Sequence, residues 1–78
     1  MFKLTVAQVD KTIFSGEIVQ VTCPSTGGEI TILSHHTPLV TPLKRGELRI
    51  VDEKGEITNI PIEDGILEVG SNEASVLL

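Results

Sequence analysis

Short apolar runs with a period of two, separated by turn-forming residues roughly every eight to twelve positions, most constrain how this chain folds. Phe2, Leu4 and Val6 alternate with polar residues, and Leu48 and Ile50 do the same further on. Residues two apart lie on the same side of a strand, so this period buries one face and exposes the other. Short strands at such spacing are typical of an antiparallel sandwich or barrel. The sequence therefore predicts an all-β fold.

The turn signals also predict where individual strands end. A turn at 10–11 closes the first hairpin, and one strand follows over 13–23, with a kink at Gly16 because glycine inside a strand often marks a bulge. The strand at 39–43 contains Pro42, which lacks a backbone donor and therefore predicts an edge position. Further loops are predicted at 24–28, 34–38, 44–46, 54–55, 64–65 and 70–72.

Length and charge restrict the class of protein. A chain of 78 residues has room for one domain with one small core. Eleven acidic against six basic side chains give a net charge of −5, which repels phosphate backbones and anionic lipid headgroups. We therefore expect neither nucleic-acid binding nor direct lipid binding. No apolar run approaches the ~20 residues of a spanning helix, and the single Cys23 excludes an internal disulfide.

The sequence contains few candidates for a catalytic, cofactor or metal site. There is no phosphate-binding loop, no cysteine pair and no nucleophile beside an identifiable base, so we expect no catalysis and no cofactor. His35 and His36 are the one metal-like cluster, but neighbouring strand residues point to opposite faces, so we expect no metal site. We expect Cys23 to be a half-buried structural residue, and Gly27-Gly28 to supply turn angles rather than an anion cradle.

Several segments together resemble one known family. They are residues 14–17 (FSGE), 28–41 (GEITILSHHTPLVT), 43–50 (LKRGELRI), 64–69 (DGILEV) and the final 76–77 (VL). Their order and spacing resemble the N-terminal β-sandwich domain of the epsilon subunit of rotary, F-type ATP synthase. The resemblance covers essentially the whole chain. It implies a flattened antiparallel β-sandwich of two sheets, with about eight to ten short strands.

The resemblance also implies a function and partners. In that family the domain is a non-catalytic part of the rotating central stalk, and it touches the gamma subunit and the membrane ring of proteolipid subunits. The chain is then expected to support assembly and the coupling of proton transport to ATP synthesis. Its expected location is peripheral, at the cytoplasmic face of the bacterial inner membrane, as part of the ATP synthase complex.

Five positions carry partner contacts by resemblance. Gly28, Glu29 and His36 match positions that face the proteolipid ring or its junction with gamma. Gln8 and Thr41 match positions on the gamma-facing side. These assignments come from the resemblance alone.

The sequence departs from the family at three places. Ser34-His35 stands where family members usually carry Pro-Gly, and Asp64-Gly65 stands where Gly-Gly is common. Residues 1–78 match the β-sandwich domain only, without the helical hairpin that follows it in longer members. Since that hairpin carries the inhibitory and ATP-binding properties, we expect neither property here.

One alternative function remains open from the sequence. The chain could be a free-standing β-sandwich module that binds a small ligand or an anion at the Gly27-Gly28 and His35-His36 loops. We also expect the isolated chain to self-associate, because uncovered apolar patches and unpaired strand edges recruit neighbours.

Overall fold

The computed structural model describes residues 1–78, which form nine strands and no helix. This confirms the predicted all-β class and the expected number of strands. The strands are β1 (Phe2–Gln8), β2 (Lys11–Ile18), β3 (Gln20–Ser25), β4 (Gly28–Leu33), β5 (Leu39–Leu43), β6 (Gly46–Val51), β7 (Ile57–Ile62), β8 (Gly65–Val69) and β9 (Glu73–Leu77).

The nine strands form one curled sheet whose two halves enclose the core. The five-strand half has the order β2-β1-β9-β8-β5, and the four-strand half has the order β4-β3-β6-β7. A single residue pair, Ser25 with Leu43, joins β3 to β5 and so connects the halves. All pairings are antiparallel except β1 with β9, which is parallel. The sandwich is thus a curled, mixed sheet, closed at one corner.

The core consists of the inward side chains predicted by the alternation. Leu4 and Val6 of β1 are fully buried, and so are Leu48 of β6, Leu67 of β8 and Val76 of β9. Burying a side chain of this size contributes about 1.5–3 kcal/mol. The cluster of 15 buried apolar residues draws on both halves of the sheet, so the two halves share one core.

The predicted single strand over 13–23 with a kink at Gly16 is wrong. The strand ends at Ile18, and the chain changes direction at Val19 because β2 pairs with β1 whereas β3 belongs to the other half. The irregularity in β2 lies at Ile13, which is left unpaired where the register with β1 shifts. Gly16 is an ordinary strand residue opposite Leu4.

Each predicted turn or loop is found, but the strands extend into several of them: the predicted 24–28 loop is reduced to 26–27, and the turns predicted at 10–11 and 64–65 lie at 9–10 and 63–64. The loops divide between two ends of the molecule. The glycine end holds the turns at 9–10, 26–27, 44–45 and 63–64. The histidine end holds the loops at 34–38, 52–56 and 70–72. β5 lies at the margin of the five-strand half, as Pro42 predicts, and it pairs with β8 over its whole length.

Candidate partner-binding surfaces

The turn between β3 and β4 presents Glu29 at the glycine end. Only Thr26 and Gly27 separate the two strands. The Ser25 hydroxyl donates a hydrogen bond to the Gly28 carbonyl, which closes the turn from inside. Gly28 has φ +124°, and a conformation of this kind favours glycine over any residue with a Cβ. The exposed Glu29 carboxylate therefore extends from a well-defined support.

The loop at the histidine end fixes the ring of His36. Nδ1 of His36 lies 2.6 Å from the Thr37 carbonyl oxygen. A carbonyl oxygen can only accept, so Nδ1 carries the hydrogen and the neutral ring leaves Nε2 as an acceptor. His36 is half-buried, and His35 is exposed with φ 65°, the one positive φ outside glycine. This loop offers one oriented hydrogen-bonding group.

The structure does not bring Glu29 and His36 together. Glu29 lies at the start of β4 and His36 lies beyond its end. The two ends of a six-residue strand are about 16 Å apart. The three positions expected to share a contact at the ring or its junction therefore form two separate sites. For the same reason, one small ligand cannot touch both the Gly27-Gly28 turn and the His35-His36 loop.

Gln8 and Thr41 both lie on the five-strand half. Gln8 is the exposed last residue of β1 at the glycine end. Thr41 lies in the middle of β5, opposite Leu67, and is half-buried. In the alternation of β5, Thr41 shares its side of the strand with the buried Leu43, whereas the residues on either side of it face outward.

An apolar band crosses the outer face of the five-strand half, and the sequence analysis missed it. Val40, Ile66 and Leu77 are 70%, 46% and 48% exposed. Ile66 lies opposite Pro42 on one side and Leu77 on the other, and Leu77 lies opposite Ala7. We call Ala7, Val40, Pro42, Ile66 and Leu77 the apolar band. The alternation within β5 and β8 was the signal that could have located it.

Cys23 is fully buried, deeper than the half-buried position expected for it. Burial removes water from the thiol and raises its pKa from 9.0 to about 12, so the group stays neutral and is a poor nucleophile. The pocket next to His35 and His36 has a volume of about 10 Å³, close to that of a single water site.

No group of three or more His, Cys, Asp or Glu side chains is placed to hold a metal ion. No helix suitable for crossing a membrane is present. What the surface does present is a turn with a carboxylate, an oriented imidazole and an apolar band. These features support protein contacts through packing and hydrogen bonding.

Comparison with known families gives one match over the whole chain. The family described as the beta-sandwich domain of the ATP synthase delta/epsilon chain matches residues 1–78. An "ATP synthase epsilon chain" from Dichelobacter nodosus (strain VCS1703A) is 37% identical over 76 residues, which cover 97% of this chain and 53% of the relative. One of the same name from Clostridium kluyveri is 39% identical over 77 residues, covering 99% and 58%. The chain thus spans little more than half the length of these relatives.

Solved structures give a consistent picture of the fold. A chain in the Euglena gracilis mitochondrial ATP synthase, in a structure of OSCP, F1 and the c-ring, superposes with a TM-score of 0.89 at 25% identity. The match covers 95% of this chain and 48% of that one. A chain in the central stalk and c-ring structure of the Tetrahymena thermophila mitochondrial enzyme gives a TM-score of 0.79 at 15% identity, with coverage of 96% and 60%. The second likeness concerns the fold alone.

Proposed function

Because this chain belongs to the ATP synthase delta/epsilon family and corresponds to its N-terminal β-sandwich domain, we propose that it is a non-catalytic rotor part linking the gamma subunit to the proteolipid ring. In this role it supports assembly of the complex and the coupling of proton transport to ATP synthesis. It acts at the periphery of the membrane, on the cytoplasmic face in a bacterium, and it needs no cofactor.

The observation that carries this proposal is the apolar band. Exposed apolar side chains that lie next to one another across several strands mark surfaces that another protein covers. Here Pro42, Ile66, Leu77 and Ala7 form one cross-strand row, and Val40 lies in the next row, opposite the exposed Glu68. The sheet beneath them is paired without interruption from β5 to β1, so a force applied to this face is passed to the whole five-strand half. A torque-transmitting part requires such a combination.

The gamma subunit is the proposed occupant of this face. Gln8 follows Ala7 in β1, and Thr41 lies between Val40 and Pro42 in β5. Their side chains point away from the side of the sheet that carries the apolar band, so a partner on the band reaches Thr41 around the margin of β5 and Gln8 around the glycine end. Thr41 is half-buried, and it lies in β5, which pairs with β3 only at Leu43.

The two loops at opposite ends of β4 are proposed to serve different partners. Gly28 and Glu29 at the glycine end contact the proteolipid ring, where the Glu29 carboxylate pairs with basic or amide groups. His36, at the far end of β4, contacts the junction with gamma through Nε2. A flat ring surface meets one end of the strands, so the distance of about 16 Å between the loops favours this division.

Binding to gamma tests the proposal. We expect the chain to form a one-to-one complex with the gamma subunit of its own organism. Val40→Glu places a charge in the apolar band and is expected to weaken the complex at least about tenfold, equivalent to ~1.4 kcal/mol. Asn59→Glu adds the same charge on the exposed outer face of β7 in the other half and is the control; because it lies opposite Arg49 whereas Val40 lies opposite Glu68, the unfolding free energy of both variants is measured beside their affinity. Absence of a complex, or equal affinity of the two variants, would contradict the proposal.

A second experiment addresses the ring contact. In a complete ATP synthase carrying Glu29→Lys, we expect proton pumping to fall relative to ATP hydrolysis, because the carboxylate that pairs with the ring is reversed in sign. Binding to isolated gamma should be unchanged, since Glu29 lies on the four-strand half. Loss of gamma binding in this variant would place gamma at the glycine turn instead.

A further inference from the structure

The curled sheet leaves β2, β4 and β7 with one fully open edge, and β5 with an edge that pairs only at Leu43 and contains Pro42. Open edges expose unpaired N–H and C=O groups, and proteins usually block them with bulges, prolines or lysines. β2 has a bulge at Ile13 and begins with Lys11, and β7 contains Pro61. β4 has none of these devices. Its six residues, GEITIL, pair with β3 in an unbroken register.

The hydrogen bonds at the corner of the sheet show which groups of β4 are free. The Pro24 carbonyl accepts from the Lys44 N–H, and the Thr26 N–H donates to the Pro42 carbonyl, so these even-numbered residues face β5. Because backbone groups alternate in direction along a strand, Ser25, Cys23 and Val21 face β4 and bond its even-numbered residues. The backbone groups that point to the open edge are then those of Glu29, Thr31 and Leu33.

Apolar side chains flank this edge on both faces. Leu33 is 51% exposed on the outer face, and Ile30 is only partly buried at the rim of the core. A strand added beside β4 covers both of them and also bonds the free backbone groups. Pairing at this edge would therefore both satisfy free backbone groups and bury apolar side chains.

We propose that β4 of the free chain pairs with β4 of a second copy, in antiparallel orientation about a two-fold axis at Thr31. In this register Thr31 lies opposite Thr31 of the second copy, and Glu29 lies opposite its Leu33. The pairing forms about six backbone hydrogen bonds, because each of three opposed pairs exchanges two. Ile30 of each copy lies opposite Ile32 of the other, which continues the core across the axis.

Charge supports a second copy as the occupant. A two-fold interface places the same surface on both sides, so a charge near the axis would meet itself. Glu29 is the one charged side chain of β4, and the register sets it against an apolar leucine. No like charges are opposed along the strand. This association goes beyond the proposed rotor role and is a property of the chain before it enters a complex, since Glu29 cannot meet the ring and a second copy at once.

Sedimentation of the free chain over a range of concentrations tests the pairing. We expect a concentration-dependent dimer for the wild type. Thr31→Lys opposes two ammonium groups at the axis and is expected to raise the dissociation constant at least about tenfold, because like charges directly opposite each other destabilise a strand pair. Thr58→Lys makes the same change on the edge strand β7 and should leave the dimer intact. Circular dichroism of both variants checks that they fold.

Amide hydrogen exchange in the wild type gives an independent readout that needs no variant. The Thr31 and Leu33 amides should exchange quickly in dilute solution and become protected as concentration rises. A monomer at millimolar concentration overturns the proposal. So does a dimer that survives Thr31→Lys, or one that Val40→Glu disrupts while Thr31→Lys does not, since that result places the contact at the apolar band.

Discussion

Ser25 and Leu43 form the only residue pair through which β3 and β5 connect the two halves of the sheet. Ser25 is also the one buried polar residue of the chain, at 4% exposure, and its hydroxyl donates to the Gly28 carbonyl. The Lys44 N–H to Pro24 carbonyl bond, at 2.8 Å, supports the same corner. The turn that presents Glu29 is thus built onto the joint between the halves.

Removing the Ser25 hydroxyl should weaken this joint. Ser25→Ala deletes a part-buried hydrogen bond and leaves the Gly28 carbonyl without that donor, so we expect a loss of about 1–2 kcal/mol in the free energy of unfolding. Urea unfolding followed by circular dichroism measures it. Ser71→Ala, in an exposed loop, is the control and should change stability by less than ~0.5 kcal/mol. Equal stability of the two variants would show that the hydroxyl is dispensable.

The positions of the strands can be predicted from this sequence, but which strands pair with each other cannot. The alternation of Phe2, Leu4 and Val6 locates β1, and Pro42 places β5 at a margin. The parallel pairing of β1 with β9 joins residues such as Leu4 and Ala74 from opposite ends of the chain, and no local signal encodes it. A period of two assigns a face to each residue, but it does not select the neighbouring strand.

The error at Gly16 has a similar origin. Glycine indicates that a bend is permitted, but the bend occurs where the chain must pass from one half to the other, at Val19. That position depends on which half each strand joins, since β2 pairs with β1 whereas β3 pairs with β4 and with the more distant β6. The pairing of the strands, and not the flexibility of glycine, therefore determines where the chain bends.

The backbone of a neighbouring strand leaves no room for a side chain at Gly65, whereas Gly16 has room for one. A Cβ at Gly65 would lie 2.9 Å from the Leu77 carbonyl oxygen, which belongs to the backbone of β9 and cannot move freely. We expect Gly65→Ala to cost about 1–3 kcal/mol, the range for an overpacked interior. Gly16→Ala meets only the Phe14 ring at 3.8 Å, an ordinary contact, and should cost less than ~1 kcal/mol. Thermal unfolding of both variants measures the difference, and a reversed order would contradict it.

The two adjacent histidines should respond in opposite directions to the same substitution. His35 has φ 65°, which costs a non-glycine residue ~1–2 kcal/mol. His35→Gly relieves this strain at a smaller entropic cost, so we expect up to ~1 kcal/mol of stabilisation. His36→Gly has no strain to relieve and loses the bond to the Thr37 carbonyl, so it should destabilise. The urea midpoint should rise for His35→Gly and fall for His36→Gly. A shift of both midpoints in the same direction would contradict the strain at His35 or the hydrogen bond of His36.

The contact positions show the same division between local and tertiary information. Resemblance identifies Gly28, Glu29 and His36 as a group, but the length of β4 separates the turn from the histidine loop. Val40 and Ile66 could not be recognised as surface residues from the sequence, since nearly every strand of a β protein contains apolar residues. Only their position on an outer face distinguishes them from the core.

Cys23 should make stability fall at alkaline pH. Burial raises the pKa of the folded thiol from 9.0 to about 12, so above pH 9 the unfolded chain loses its thiol proton while the folded chain keeps it. The stabilisation is complete below the unfolded value and is lost as pH rises toward the folded value. One proton corresponds to ~1.4 kcal/mol per pH unit, so near pH 10 the loss should be of that order.

Cys23→Ala provides the comparison, because it lacks the titrating group while the other side chains titrate alike in both proteins. Urea unfolding between neutral pH and about pH 10 should give a steeper decline for the wild type than for the variant, whatever their difference at neutral pH. Thiol reagents should modify the native protein only at the rate at which it opens, because the thiolate is the reactive form. Parallel pH profiles together with rapid modification of the folded chain would mean that the thiol reaches water, and the core around β3 would then be more open than the structure shows.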